Sequence, residues 1–211
     1  MTQVSAPDLL VLHAVRIVGF AGTPVVARRF GLDEDETAEL LGDAEARGWV
    51  RHSTFADLGG WSLTEAGRAE DERQLSAELV RVEGLDEVRD VYRAFLPLNA
   101  KVLRACTDWQ LRPTPDDRLA TNDHSDAAWD DGVLDELAAV EDGLGPLADR
   151  LGRLLTRFRG YDARFSEARR RARAGDGRWV DGADVDSCHR VWFELHEDLV
   201  ATLGIDRHAV P

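Results

Sequence analysis

Residues 49–68 read WVRHSTFADLGGWSLTEAGR. Trp49 to Ser53 has the composition of a short strand. Ala56-Asp57-Leu58-Gly59-Gly60 is turn material, and Trp61-Ser62-Leu63 is a second strand, so the stretch predicts a hairpin. Thr64 with Glu65 then starts a helix that continues past Leu75 and Leu79. Upstream, Ser5 followed by Asp8 reads as a helix N-terminus. Pro7 is tolerated in its first turn, and the apolar helix runs to about Gly19. Thr23-Pro24 caps a short second helix ending at Gly31-Leu32. Asp33 with Glu36 three residues on forms a capping box for a third helix, which reaches about Arg47 and stops at Gly48.

Three helices, a hairpin and a further helix, in that order, describe a winged helix-turn-helix. The AxxFGL stretch at Ala27 to Leu32, the Gly48-Trp49-Val50-Arg51 exit and the run from Trp61 to Arg68 resemble the MarR group of winged-helix regulators. The resemblance covers residues 9 to about 80. In that group an LTEAG run closes the wing and opens the following helix. It implies a ligand-responsive transcriptional regulator that binds DNA as a homodimer and senses a small molecule through its C-terminal domain. The residues expected at DNA are Arg28, Arg29, Thr37, Arg51 and His52.

The third helix departs from that pattern. Such helices present Ser, Thr, Arg, Asn or Gln to bases and phosphates, whereas the exposed positions here are Glu34, Asp35, Glu36, Ala38 and Glu39. Carboxylates near phosphates repel. Where the group carries an Asp-x-Arg wing tip, this chain has Asp57-Leu58-Gly59-Gly60. The alternative is therefore a protein-interaction module or partner subunit that does not bind DNA, with the acidic third helix facing another protein.

Composition narrows the remaining classes. The chain has 211 residues and a formal net charge of -14, which weighs against a nucleic-acid binder. Residues 1–83 hold 8 Arg against 15 Asp and Glu, while Arg150 to Arg178 holds ten arginines against Asp162, Glu167 and Asp176. An anion-seeking surface is thus expected in the second half. Cys106 and Cys188 fit no metal or redox spacing. No export signal or membrane span is read from the sequence, so a cytoplasmic setting is expected.

The expected organisation is mainly α: a winged helix-turn-helix with a linker helix over residues 1–83, then a helical C-terminal domain of four to five helices over 84–211. In the second part Val88, Val91, Tyr92, Phe95, Val102, Leu103 and Trp109 mark one helix face, with Pro97 as a kink or break. Residues 112–125 form a long loop, a candidate pocket edge, and Ser125 or Asp126 caps the next helix. Gly143 to Pro146 is read as a break. A small-molecule effector, anionic or aromatic, would meet Trp109, His124, Trp129, Arg169, Arg170, Arg173, His189 and Trp192, because arginine forks suit anions and indoles suit flat ligands. His189 and His196 share a helix face but match no metal motif, so neither metal nor cofactor is assigned. There is no Ser-His-Asp signature, phosphate loop or HExxH, and no enzyme is expected.

Overall fold

The computed structural model describes residues 2–55 and 58–205, without the side chains of Phe55 and Leu58. Among these the chain is mainly helical, with one two-stranded antiparallel hairpin. No described helix is long and apolar enough to cross a membrane. Two compact units are present, one comprising Met1–Val88, Arg153–Arg157 and Glu197–Pro211, the other Arg89–Gly152 and Phe158–His196. The first border lies a few residues past the expected one, and two later segments return to the first unit.

The first unit begins with α1 (Pro7–Val18), α2 (Thr23–Phe30) and α3 (Glu34–Ala46). It continues through β1 (Val50–Phe55), β2 (Leu58–Leu63) and α4 (Glu65–Arg81). Both strands are longer than expected. Asp33 caps α3, accepting the Glu36 N–H at 3.0 Å, and Thr64 caps α4, accepting the Gly67 N–H at 3.0 Å. Strand register pairs Val50 with Leu63 and His52 with Trp61. Ala21 adds a bridge to the outer side of the hairpin through two backbone bonds with Trp61. A Cβ on Gly67 would lie 1.8 Å from the Trp49 carbonyl oxygen, so only glycine lets the first turn of α4 close onto the exit of α3. The core beneath is Val11, Leu12, Val15, Val26, Leu41 and Val50, covered by Phe30, Trp49 and Trp61. Each such side chain stabilises the unit by roughly 1.5–3 kcal/mol.

Helix α1 is buried at every position from Leu9 to Ile17, so its two polar residues, His13 and Arg16, must find partners inside. His13 Nδ1 is 3.3 Å from Asp71 Oδ1, and Nε2 is 3.0 Å from Asp198 Oδ1. With both ring nitrogens facing carboxylates, the imidazole is held as the cation. Burial works against that charge, but Asp71 and Asp198 outweigh it and hold the pKa above its ordinary value. Arg16 donates from Nε to Glu197 at 2.9 Å and from Nη1 to Glu72 at 2.9 Å. Arg157 donates from Nε to Glu78 at 3.0 Å, from Nη2 to Thr202 at 2.9 Å and from Nη1 to Asp198. These bonds secure the returning segments within the first unit.

The second unit contains most of α5 (Leu85–Gln110) and α6 (Ala127–Leu154), then α7 (Tyr161–Arg173), α8 (Arg178–Asp181) and the start of α9 (Cys188–Leu203). Neither Pro97 nor the Gly143–Pro146 stretch interrupts its helix: α5 and α6 run through them, so the expected break at Gly143–Pro146 does not occur. On α6 the apolar row Val140, Leu144, Leu147 and Leu151 continues across the prolyl position, and its burial offsets a proline cost of about 3 kcal/mol. Gly143 is used for close approach, since a Cβ there would come within 3.0 Å of Leu98. Trp192 stacks on Phe95 at 4.6 Å and donates its indole N–H to Asn99.

Candidate functional site

The loop after α5 is pinned at its base. Leu111 and Thr121 form an antiparallel bridge, and the Asn122 N–H donates to the Gln110 carbonyl at 2.8 Å. Asp126, not Ser125, supplies the cap of α6, accepting from the Ala128 and Trp129 N–H groups while Arg112 holds its other oxygen. The pinned loop places Asn122 and His124 beside Trp109 and next to the first turn of α6.

There the side chains form a chain of bonds. Asn122 is buried and donates to the Trp109 carbonyl at 3.1 Å and to Asp130 Oδ1 at 2.8 Å. Its own amide oxygen accepts the His124 N–H at 3.1 Å. His124 Nδ1 is 3.0 Å from Asp130 Oδ2, so Nδ1–H donates to the carboxylate and, in the neutral ring, Nε2 is the acceptor end. The imidazole lies over the Trp109 indole with centroids 4.6 Å apart. The backbone of His124 is left-handed at φ 57°, a conformation that a non-glycine residue holds only when its surroundings fix it.

Trp109, His124 and Asp130 line a cleft of about 670 Å³ together with Leu134, Ala172, Arg173, Arg178 and Asp181. Gly177 closes over Trp109 at a distance where a Cβ would meet the indole at 2.9 Å. Cys106 and Cys188 are buried, and burial pushes both thiols up to about 12, so neither is a nucleophile at neutral pH. Among the described residues no group of three or more His, Cys, Asp or Glu is placed to hold a metal ion.

Of the residues expected to bind a ligand, the cleft gathers Trp109, His124 and Arg173. The others are placed elsewhere. Trp129 gives its indole N–H to the Asp108 carbonyl at 2.7 Å, and Trp192 is buried in the aromatic stack on α5. Arg169 is paired with Glu141, and Arg170 with Glu167. His189 is exposed on the first turn of α9. Asn122, Asp130, Arg178 and Asp181 were not singled out from the sequence. The Asn122-Asp123 pair reads in the sequence only as loop chemistry, because Asp130 joins it from the first turn of α6.

The residues expected at DNA are also sorted by the fold. Arg28, Arg51 and His52 are exposed, with the His52 ring edge-on to Trp61 at 4.7 Å. Thr37 is withdrawn: it is fully buried, and its hydroxyl donates to the Asp33 carbonyl at 2.6 Å. Arg29 is turned inward, with Nε and Nη2 shut off from solvent, its guanidinium 4.6 Å over Phe30 and its charge acting on buried Asp198. The expected turn at the wing tip involves Ala56 and Asp57, which lie outside the described residues. On α3, Glu34, Asp35, Glu36, Glu39, Asp43 and Glu45 are all exposed. Comparison with family models, with curated proteins and with solved structures returns no match for this chain.

Proposed function

We propose that this chain is a ligand-responsive transcriptional regulator of winged helix-turn-helix architecture, resembling the MarR group and working in the cytoplasm as a homodimer. The observation that carries the reading is the assembly of the hairpin on three helices: Ala21 bridges to Trp61, and Gly67 closes against Trp49. In this reading β1–β2 is the wing, and DNA is met by Arg28, Arg51 and His52 at phosphates, not by the acidic face of α3. The effector occupies the cleft at Trp109 and His124. Ligand and DNA affinity are coupled, at about 1–3 kcal/mol for such regulators.

A salt titration against mixed DNA fragments tests this. A saturable shift with a steep negative slope of log affinity against log salt supports it, and no shift at about 50 mM salt sinks it. Arg51→Ala should weaken binding to all fragments by a similar factor and flatten that slope by about one ion.

A second reading is favoured by one specific observation. Six exposed carboxylates crowd α3 and its end, so that surface suits a basic protein partner better than a polyanion. In that case the winged helix docks a protein and never meets DNA. A co-purifying complex that dissociates as salt rises, with no DNA shift, would select it.

A further inference from the structure

Resting on the reading of the cleft as the ligand site, we infer that its ligand is a cation: an amine carried on a flat or apolar body, not the anion that the arginine-rich sequence predicts. The two arginines of the cleft already have acidic partners. Arg173 divides its guanidinium between Asp131, at 3.0 Å from Nη1, and Asp135. Arg178 gives Nε and Nη2 to Asp176 at 3.1 and 3.0 Å and holds Asp184 at 3.7 Å. An incoming anion would meet carboxylates already standing at both arginines, and like charges repel.

The acceptors are differently placed. His124 has committed Nδ1–H to Asp130, and the second oxygen of Asp130 is held by Asn122, so the ring cannot turn over without losing that bond. In the neutral ring Nε2 is then an acceptor on a residue that lines the cleft. Asp181 receives one bond, from Gln110 Nε2 at 2.7 Å, and brings a carboxylate to the same cleft. The ligand must supply the donors.

Charge points the same way. The cleft and the residues paired with its arginines contribute Asp130, Asp131, Asp135, Asp176, Asp181 and Asp184 against Arg173 and Arg178. Such an excess attracts an ammonium and repels a carboxylate or phosphate. The apolar part of the lining, Leu134, Ala172 and the edge of Trp109, leaves room beside it for a hydrocarbon or aromatic body. Acceptor, charge and apolar wall together describe an aryl- or alkylamine.

Tryptamine and indole-3-acetate share one flat ring system and carry opposite charges on a short arm, so they separate charge from shape. Isothermal titration of the full chain near neutral pH should show tryptamine binding at least about tenfold more tightly than indole-3-acetate. Asp181→Asn keeps an oxygen for Gln110 but removes the charge, and should abolish that preference. His124→Asn, which tolerates the left-handed backbone, should weaken tryptamine binding while the melting temperature holds. Equal or reversed affinities in the wild type, or an unchanged preference in Asp181→Asn, would overturn the cation assignment and leave the cleft standing as a ligand site. Binding of neither compound would overturn both the assignment and the cleft's role.

Discussion

His13 and Asp198, 185 positions apart in the chain, meet at 3.0 Å between Nε2 and Oδ1, and neither side chain is exposed to solvent. The pair sits inside a network in which Asp71, Glu78, Arg16 and Arg157 are also buried. Such a network does not stabilise more than a well-packed apolar core of the same volume, but each member depends on the others because an orphaned buried charge is costly. Its effect is to make the position of the returning segments unique.

Stability should depend on pH through His13 and Asp198. His13 has a folded pKa above its ordinary value, so near pH 7–8 the native state retains a proton that the unfolded chain has partly released. Its contribution is complete below about pH 6.5 and is lost as pH rises through the folded value, with a limiting slope of about 1.4 kcal/mol per pH unit. Asp198 supplies the opposite limb. Burial pushes its carboxyl up, but Arg157 and His13 outweigh this and hold it below the carboxylate range, so its contribution is present above about pH 3.9 and lost as pH falls through the folded value. Urea unfolding from pH 4 to 9 should therefore show stability falling above about pH 6.5. A His13→Gln variant should lack that alkaline fall.

Arg157 is the member with the most to lose. Arg157→Ala takes the buried guanidinium from both Glu78 and Asp198, leaving His13 to hold Asp198, and should cost about 3–5 kcal/mol in denaturant unfolding. Adding Glu78→Gln to that variant should recover part of the loss, whereas additive losses would mean that the two groups do not share the network.

Two glycines should respond with opposite signs. Gly67→Ala drives a Cβ into the Trp49 carbonyl and should destabilise by about 2–4 kcal/mol, with the hairpin releasing first in hydrogen exchange. Gly42→Ala, inside α3 with nothing within 4 Å of its Cβ position, should stabilise by about 0.5–1 kcal/mol.

The acidic helix is tested by charge removal. Replacing Glu34, Asp35 and Glu39 by Gln leaves the Asp33 cap intact and takes three negative charges from the exposed face. If this face lies near phosphates, non-specific DNA affinity at low salt should rise about tenfold or more in a gel shift. If it meets a basic protein, DNA binding stays absent and the mass of the co-purifying complex falls in light scattering. Loss of tight, sequence-specific DNA binding would show that the carboxylates read bases, against both readings.

The element order of residues 7–81 was legible without coordinates because its signals are local. Asp33 with Glu36, Thr64 with Gly67, and Gly31 after Phe30 act over three or four residues, where capping chemistry and backbone preference decide the outcome. The same reasoning misread α6. Gly143 and Pro146 are local breakers, but burial of Leu144, Leu147 and Leu151 is a tertiary quantity that no window of sequence contains, and it won. The sites follow the same division. Residue type alone marked Trp109 and His124 as candidates, and the arginine run as an anion seeker. Only the folding of the loop onto α6 brought Asp130 to His124, and only the packing of α6 and α7 brought Glu141 to Arg169 and Asp135 to Arg173. Charge–charge energies depend on separations of a few ångströms between groups that packing brings together, so residue type reveals which charges exist and only the folded packing reveals which of them already neutralise one another.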